Sequence, residues 1–109
     1  QRQMCIRDRG YAFTAYPEKA ALDILYLPRY GKISYVYDVI DRLDIERLTL
    51  YARAMGEPVV RRLGYLLDLK GLKHSLKPST RTVYKLNPRI RQRGFYNSKW
   101  RLYVNEVLE

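Results

Sequence analysis

The stretch Tyr16–Leu27, YPEKAALDILYL, constrains the fold more than any other part of this chain. It reads as one short helix that is apolar on nearly every side. Ala20, Ala21, Leu22, Ile24, Leu25 and Leu27 leave no wide polar face, the pattern of a helix covered by neighbours rather than lying on the surface. Pro17 suits the first helical position, where its missing N–H is no loss. Glu18 complements the positive helix end, and Pro28 stops the helix. Asp23 falls on this covered helix, and a buried carboxylate needs a partner. Lys19, one turn earlier, is the nearest in sequence, a basic residue from elsewhere being the alternative, so the expectation is a structural ion pair.

Neighbours for this helix are sought along the rest of the chain. Tyr11–Ala15 reads as a short strand with Tyr11 and Phe13 on one face. Ile33–Leu43 is rich in β-branched and aromatic residues, yet Val36, Val39, Ile40 and Leu43 follow helical spacing, with Ser34 as cap. Asp44 caps a third helix bearing the stripe Ile45, Leu48, Ala52 and Met55, ended by Gly56. Glu57-Pro58 opens a fourth, whose buried face is Val59, Val60, Leu63, Leu66 and Leu67. Arg61, Arg62 and Asp68 are expected to point outward. Gly64 inside this helix predicts close approach of a neighbouring element. After Gly71 comes a basic connector, then a strand at Arg81–Leu86 and a long loop at Asn87–Ser98. A last strand follows at Lys99–Val104, with Trp100, Leu102 and Val104 on one face. The expected architecture is α+β, a four-helix cluster packed on a small antiparallel sheet in the order β-α-α-α-α-β-β.

With 109 residues this is a single domain. The first nine residues are set aside. QMCIRDR at 3–9 back-translates to the transposon end used in sequencing libraries, so residues 1–9 are expected to be an adapter or cloning scar. The native chain would then start at Gly10, already cut at its N-terminus. Cys5, the single cysteine, falls in the scar, which removes disulfide, zinc and thiol chemistry from consideration. The formal charge of +10 favours nucleic acid or an acidic partner surface. No apolar run approaches the length of a membrane span.

No residue set points to catalysis. His74, the sole histidine, has no second ligand near it and reads as a solvated loop residue. Ser34, Ser75, Ser79 and Ser98 carry no nucleophile signature, and glycine-rich phosphate loops are absent. No cofactor and no metal is expected. The basic segments carry more weight. Arg89, Arg91 and Arg93 alternate in the long loop, and Lys99 and Arg101 share one face of the last strand. With Arg81 and Lys85 on an adjacent strand they would form one positive patch able to hold phosphates; a solvated sheet face is the alternative. The eleven tyrosines could stack on bases but at most positions read as core with the hydroxyl at the surface.

Three segments together resemble the C-terminal domain of the AbiEi family, the abortive-infection antitoxins of type IV toxin–antitoxin systems. They are Pro17-Glu-Lys-Ala-Ala-Leu-Asp23, Arg61-Arg-Leu-Gly-Tyr-Leu-Leu67 and Gly94-Phe-Tyr-Asn-Ser-Lys-Trp-Arg-Leu-Tyr-Val-Asn105. They correspond to the family's PEKALLD, RLGYLL and G-x-YNSRWRL-x-VN runs, and the match extends from Gly10 to Val107. Tyr16 departs from it, standing where members often have a serine cap. The resemblance implies a cytoplasmic phage-defence protein whose N-terminal winged helix-turn-helix, absent here, binds and represses its own promoter. It implies a C-terminal domain that opposes a nucleotidyltransferase-like toxin without necessarily forming a stable complex, and that is not an enzyme. Glu18, Lys19, Asp23, Arg62, Gly64, Trp100 and Asn105 match the motifs and are expected to be mostly architectural. Arg89, Arg91, Arg93, Lys99 and Arg101 are the candidate interaction surface. The alternative is a basic DNA-binding accessory domain of a transcriptional regulator. A weaker third reading is a defective nuclease-like domain.

Overall fold

The computed structural model describes residues 17–28, 32–106 and 108. The expected scar and the expected strand Tyr11–Ala15 lie outside these. Four helices and a three-stranded sheet make an α+β fold. The helices are α1 (Pro17–Tyr26), α2 (Ile33–Val39, continued by a 3-10 turn Ile40–Arg42), α3 (Ile45–Met55) and α4 (Glu57–Leu69). The strands are β1 (Tyr84–Lys85), β2 (Phe95–Asn97) and β3 (Leu102–Val104).

The sheet is mixed, not antiparallel. Its order is β1-β3-β2, with β1 parallel and β2 antiparallel to β3. The reason is β2 itself, which lies inside the stretch expected to be loop. It forms the hairpin partner of β3, so β1 is left the opposite edge. The last strand is also shorter than expected, because residues 98–101 form the hairpin turn. Asn97 shapes that turn by accepting from the Trp100 N–H at 2.9 Å, the local side-chain-to-backbone bond that asparagine favours.

The covered helix is α4, not α1. In α4 every residue from Arg61 to Leu67 is buried. In α1 burial is confined to Glu18, Ala21, Leu22 and Leu25. Asp23 is more than half exposed and pairs with Lys19 at 2.6 Å on the surface. The ion pair is therefore present, but no buried carboxylate stands behind it. Arg61 and Arg62, expected to face outward, are 0% and 4% exposed. The apolar stripe of α4 packs on α1 and α3, while its other side is closed off by residues 80–85 and the sheet.

Helix starts follow local chemistry at one site and long-range contacts at another. Asp44 caps α3 as expected, its side chain accepting from Arg47 N–H. Glu18, buried in the first turn of α1, accepts from the Asp44 N–H at 2.9 Å and so ties α1 to the start of α3. Ser34 is not the cap of α2. The helix begins two residues earlier, with Lys32 in the cap position. Ser34 thus lies in the first turn with an orphan N–H, which donates to the Glu106 carboxylate at 2.9 Å. The core runs from Leu22, Leu25, Ile33 and Leu48 through Leu63 and Leu66 to Trp100 and Leu102.

Candidate functional site

Residues 80–85 and the turn at Trp100 are joined to α4 by two arginines. All five donor hydrogens of Arg61 are accounted for. Its Nε donates to Glu57 at 2.6 Å, and its two terminal nitrogens donate to Thr82 O, Trp100 O, Thr80 O and the Thr80 hydroxyl at 2.6–3.2 Å. Burial works against the Glu57 carboxylate, but bonds from Ser79 and Arg61 outweigh it and hold its pKa below the ordinary value. Arg62 is bound by backbone alone. It donates to Lys85 O in β1 at 2.8 Å and to Leu25 O and Tyr26 O at the end of α1 at 2.9 and 3.4 Å. A cation there completes the open carbonyls of a helix C-terminus. Burial lowers its pKa to about 10, which leaves it charged at neutral pH.

One turn further along α4, the helix meets Trp100. A Cβ on Gly64 would lie 2.1–2.5 Å from the tryptophan ring, so only glycine leaves room for it. The indole N–H donates to Asp68 at 2.8 Å. His74 binds the other Asp68 oxygen at 2.7 Å, and its ring lies 5.8 Å from that of Trp100 at a tilt of 38°. Its second ring nitrogen accepts from the Leu76 N–H at 3.1 Å. His74 is therefore a satisfied, mostly buried residue and not a solvated one. Lys99 is drawn to the same carboxylate at 2.7 Å. Burial raises the Asp68 pKa, but the bonds from Lys99, His74 and Trp100 outweigh it and hold the carboxyl below its ordinary value. Among the described residues no group of three His, Cys, Asp or Glu side chains is placed to hold a metal ion.

The other candidates gather around the outer face of the sheet. Asn105 fastens the loop between β1 and β2. Its amide donates to Asn87 O, Ile90 O and Gln92 O at 3.0–3.3 Å, and its oxygen accepts from Asn87 N–H. Lys85 adds bonds to Ile90 O and Arg91 O at 3.3 and 3.2 Å. With these carbonyls turned inward, Arg89, Arg91 and Arg93 are exposed. The loop enters β2 through Gly94, at φ +68°, where any Cβ would strike Val104 O.

Tyr96 and Lys85 both lie opposite Tyr103, so the three form a row across all three strands. Arg93 sits over the Tyr103 ring at 5.4 Å. The two tyrosine rings are 5.2 Å apart.

The five surface candidates therefore divide. Arg89, Arg91 and Arg93 share the exposed loop before β2, and Arg93 reaches the Tyr103 ring. Lys99 belongs to the Asp68 cluster, and Arg101, in the turn rather than on a strand, donates to Thr80 O at 2.9 Å. Of the motif residues, Arg62, Gly64 and Trp100 meet at α4, Asn105 holds the loop, and Glu18, Lys19 and Asp23 lie on α1. Tyr96 and Tyr103 were not singled out from the sequence. The signal for Tyr103 was its place between Leu102 and Val104, which puts it on the face opposite theirs. No protein-family model, curated protein or solved structure matches the chain.

Proposed function

We propose that this chain is the C-terminal domain of an AbiEi-like antitoxin, which counteracts a nucleotidyltransferase-like toxin and catalyses no reaction of its own. One observation carries this reading. The three segments of the resemblance, far apart in sequence, meet at a single helix. Arg62 of the second segment donates to Leu25 and Tyr26 at the end of the helix that carries the first. Gly64, two residues on, receives Trp100 of the third. Their meeting supports the reading, because it gives the motif residues one shared architectural role.

In the whole protein this domain would follow a promoter-binding winged helix-turn-helix, in the cytoplasm of a cell defended against phage. Among the described residues no helix is long and apolar enough to cross a membrane. The test is co-expression with the gene that neighbours this one at its source locus. If that gene encodes a growth-arresting nucleotidyltransferase-like protein, residues 10–109 restore growth. Failure of rescue by a chain shown to be folded overturns the reading.

A further inference from the structure

The geometry points to a binding site for single-stranded nucleic acid on the outer face of the sheet, with a base on Tyr96 and phosphates on Arg89, Arg91 and Arg93, the last of these carried on the Tyr103 ring. The site goes beyond the antitoxin reading and does not depend on it.

Charge is the first argument. Among the described residues, Lys85, Arg89, Arg91, Arg93 and Arg101 have no carboxylate within ion-pair distance; the acidic partners lie instead at Lys19, Arg47, Arg61, His74 and Lys99. Arg93 therefore lies on this face, and Arg89 and Arg91 in the loop that leads to it, all exposed and with no carboxylate among the described residues to balance them, which suits a polyanion. The loop that bears them is built. Lys85 and Asn105 bind its carbonyls from beneath, so the arginines are presented on a fixed rim.

The rings are the second argument. Tyr96 is 45% exposed and lies beside Tyr103 on the solvent side of the sheet. Leu102 and Val104, on the opposite side of β3, fill the core. An aromatic ring on an open sheet can stack only on a base that is not already stacked, which a single strand offers and a duplex does not. Phe95 lies opposite Val104 and is turned to the other side of the sheet, so it takes no part.

The test is fluorescence anisotropy with labelled oligouridine and oligothymidine of about ten nucleotides, titrated with the full chain beside a duplex of equal length. Single strands should bind several-fold more tightly than the duplex, and the two oligonucleotides separate an RNA site from a DNA site. Tyr96→Ala should weaken single-strand binding about tenfold, while Tyr96→Phe should leave it unchanged. Arg89→Gln with Arg91→Gln should weaken it and flatten its salt dependence. Emission of Trp100, the only tryptophan, reports whether each variant has folded. If Tyr96→Ala unfolds, Tyr96→Leu takes its place, keeping apolar bulk and losing the π-face. Absence of binding at low salt overturns the site. So does binding that ignores the ring at position 96 or favours the duplex.

Discussion

Helices α1 and α4 carry similar materials and use them in opposite ways. Each has a charged pair amid aliphatic residues. In α1 the pair is Lys19 and Asp23, one turn apart, joined in solvent and contributing little. In α4 it is Arg61 and Arg62, neighbours in sequence, which reach in different directions. One binds Glu57 and the 80–82 segment, the other the end of α1 and β1. The difference teaches that a charge on a helix says less about exposure than what lies opposite that charge. Backbone carbonyls left open by helix and strand ends can satisfy a buried guanidinium where no carboxylate is near.

The contrast can be broken by denaturant titrations followed by helical circular dichroism. The largest loss is expected for Arg61→Ala. It strips four acceptors and a carboxylate of their donor at a buried site, at a loss of about 3–5 kcal/mol. Arg62→Ala follows at about 2–4 kcal/mol, through three uncovered carbonyls. Gly64→Ala should lose a net 1–2 kcal/mol or so, because overpacking against Trp100 exceeds the gain in helix propensity. The tryptophan cannot move aside cheaply, being held by Asp68 and His74.

A fourth expectation concerns pH. The Asp68 carboxyl is held below its ordinary value in the fold. Its contribution is thus complete above the unfolded pKa, about 3.9, and is lost as pH falls through the lower folded value. Asp68→Asn should flatten that part of the acid limb. The smallest effect, below about 0.5 kcal/mol, is expected for Asp23→Ala. Equal losses for Asp23→Ala and Arg61→Ala would erase the distinction between the two helices.

Much of the fold was legible before the structure. The capping of α3 by Asp44, the stop at Gly56 and the proline start of α4 follow from residue chemistry within one turn. So does the close approach at Gly64, since glycine within a good helix has few other reasons to be there. What escaped was set by distant segments. The α1 pattern looked covered all round because aliphatic residues do not say on which side a neighbour will lie. Arg61 and Arg62 looked solvated because the charged side of an amphipathic helix normally is, and nothing local to α4 announces residues 80–85 as its cover. His74 found its partners in Asp68 and Trp100, the second in the turn between β2 and β3. At the candidate surface the arginine run was plain in the sequence. The tyrosine row beside it needed strand register, and β2, three residues long, is too short to show a period.

The bond between Ser34 N–H and the Glu106 carboxylate spans 72 residues, and that separation sets a timetable. During synthesis at about 5–20 residues per second, the first turn of α2 waits roughly 4–14 s for the group that completes it. The sheet waits as well, since β1 can pair only after β3 has been made. Helices α1, α3 and α4 can pack on one another once Leu69 has emerged, whereas the first turn of α2 and the parallel pair are completed only seconds later.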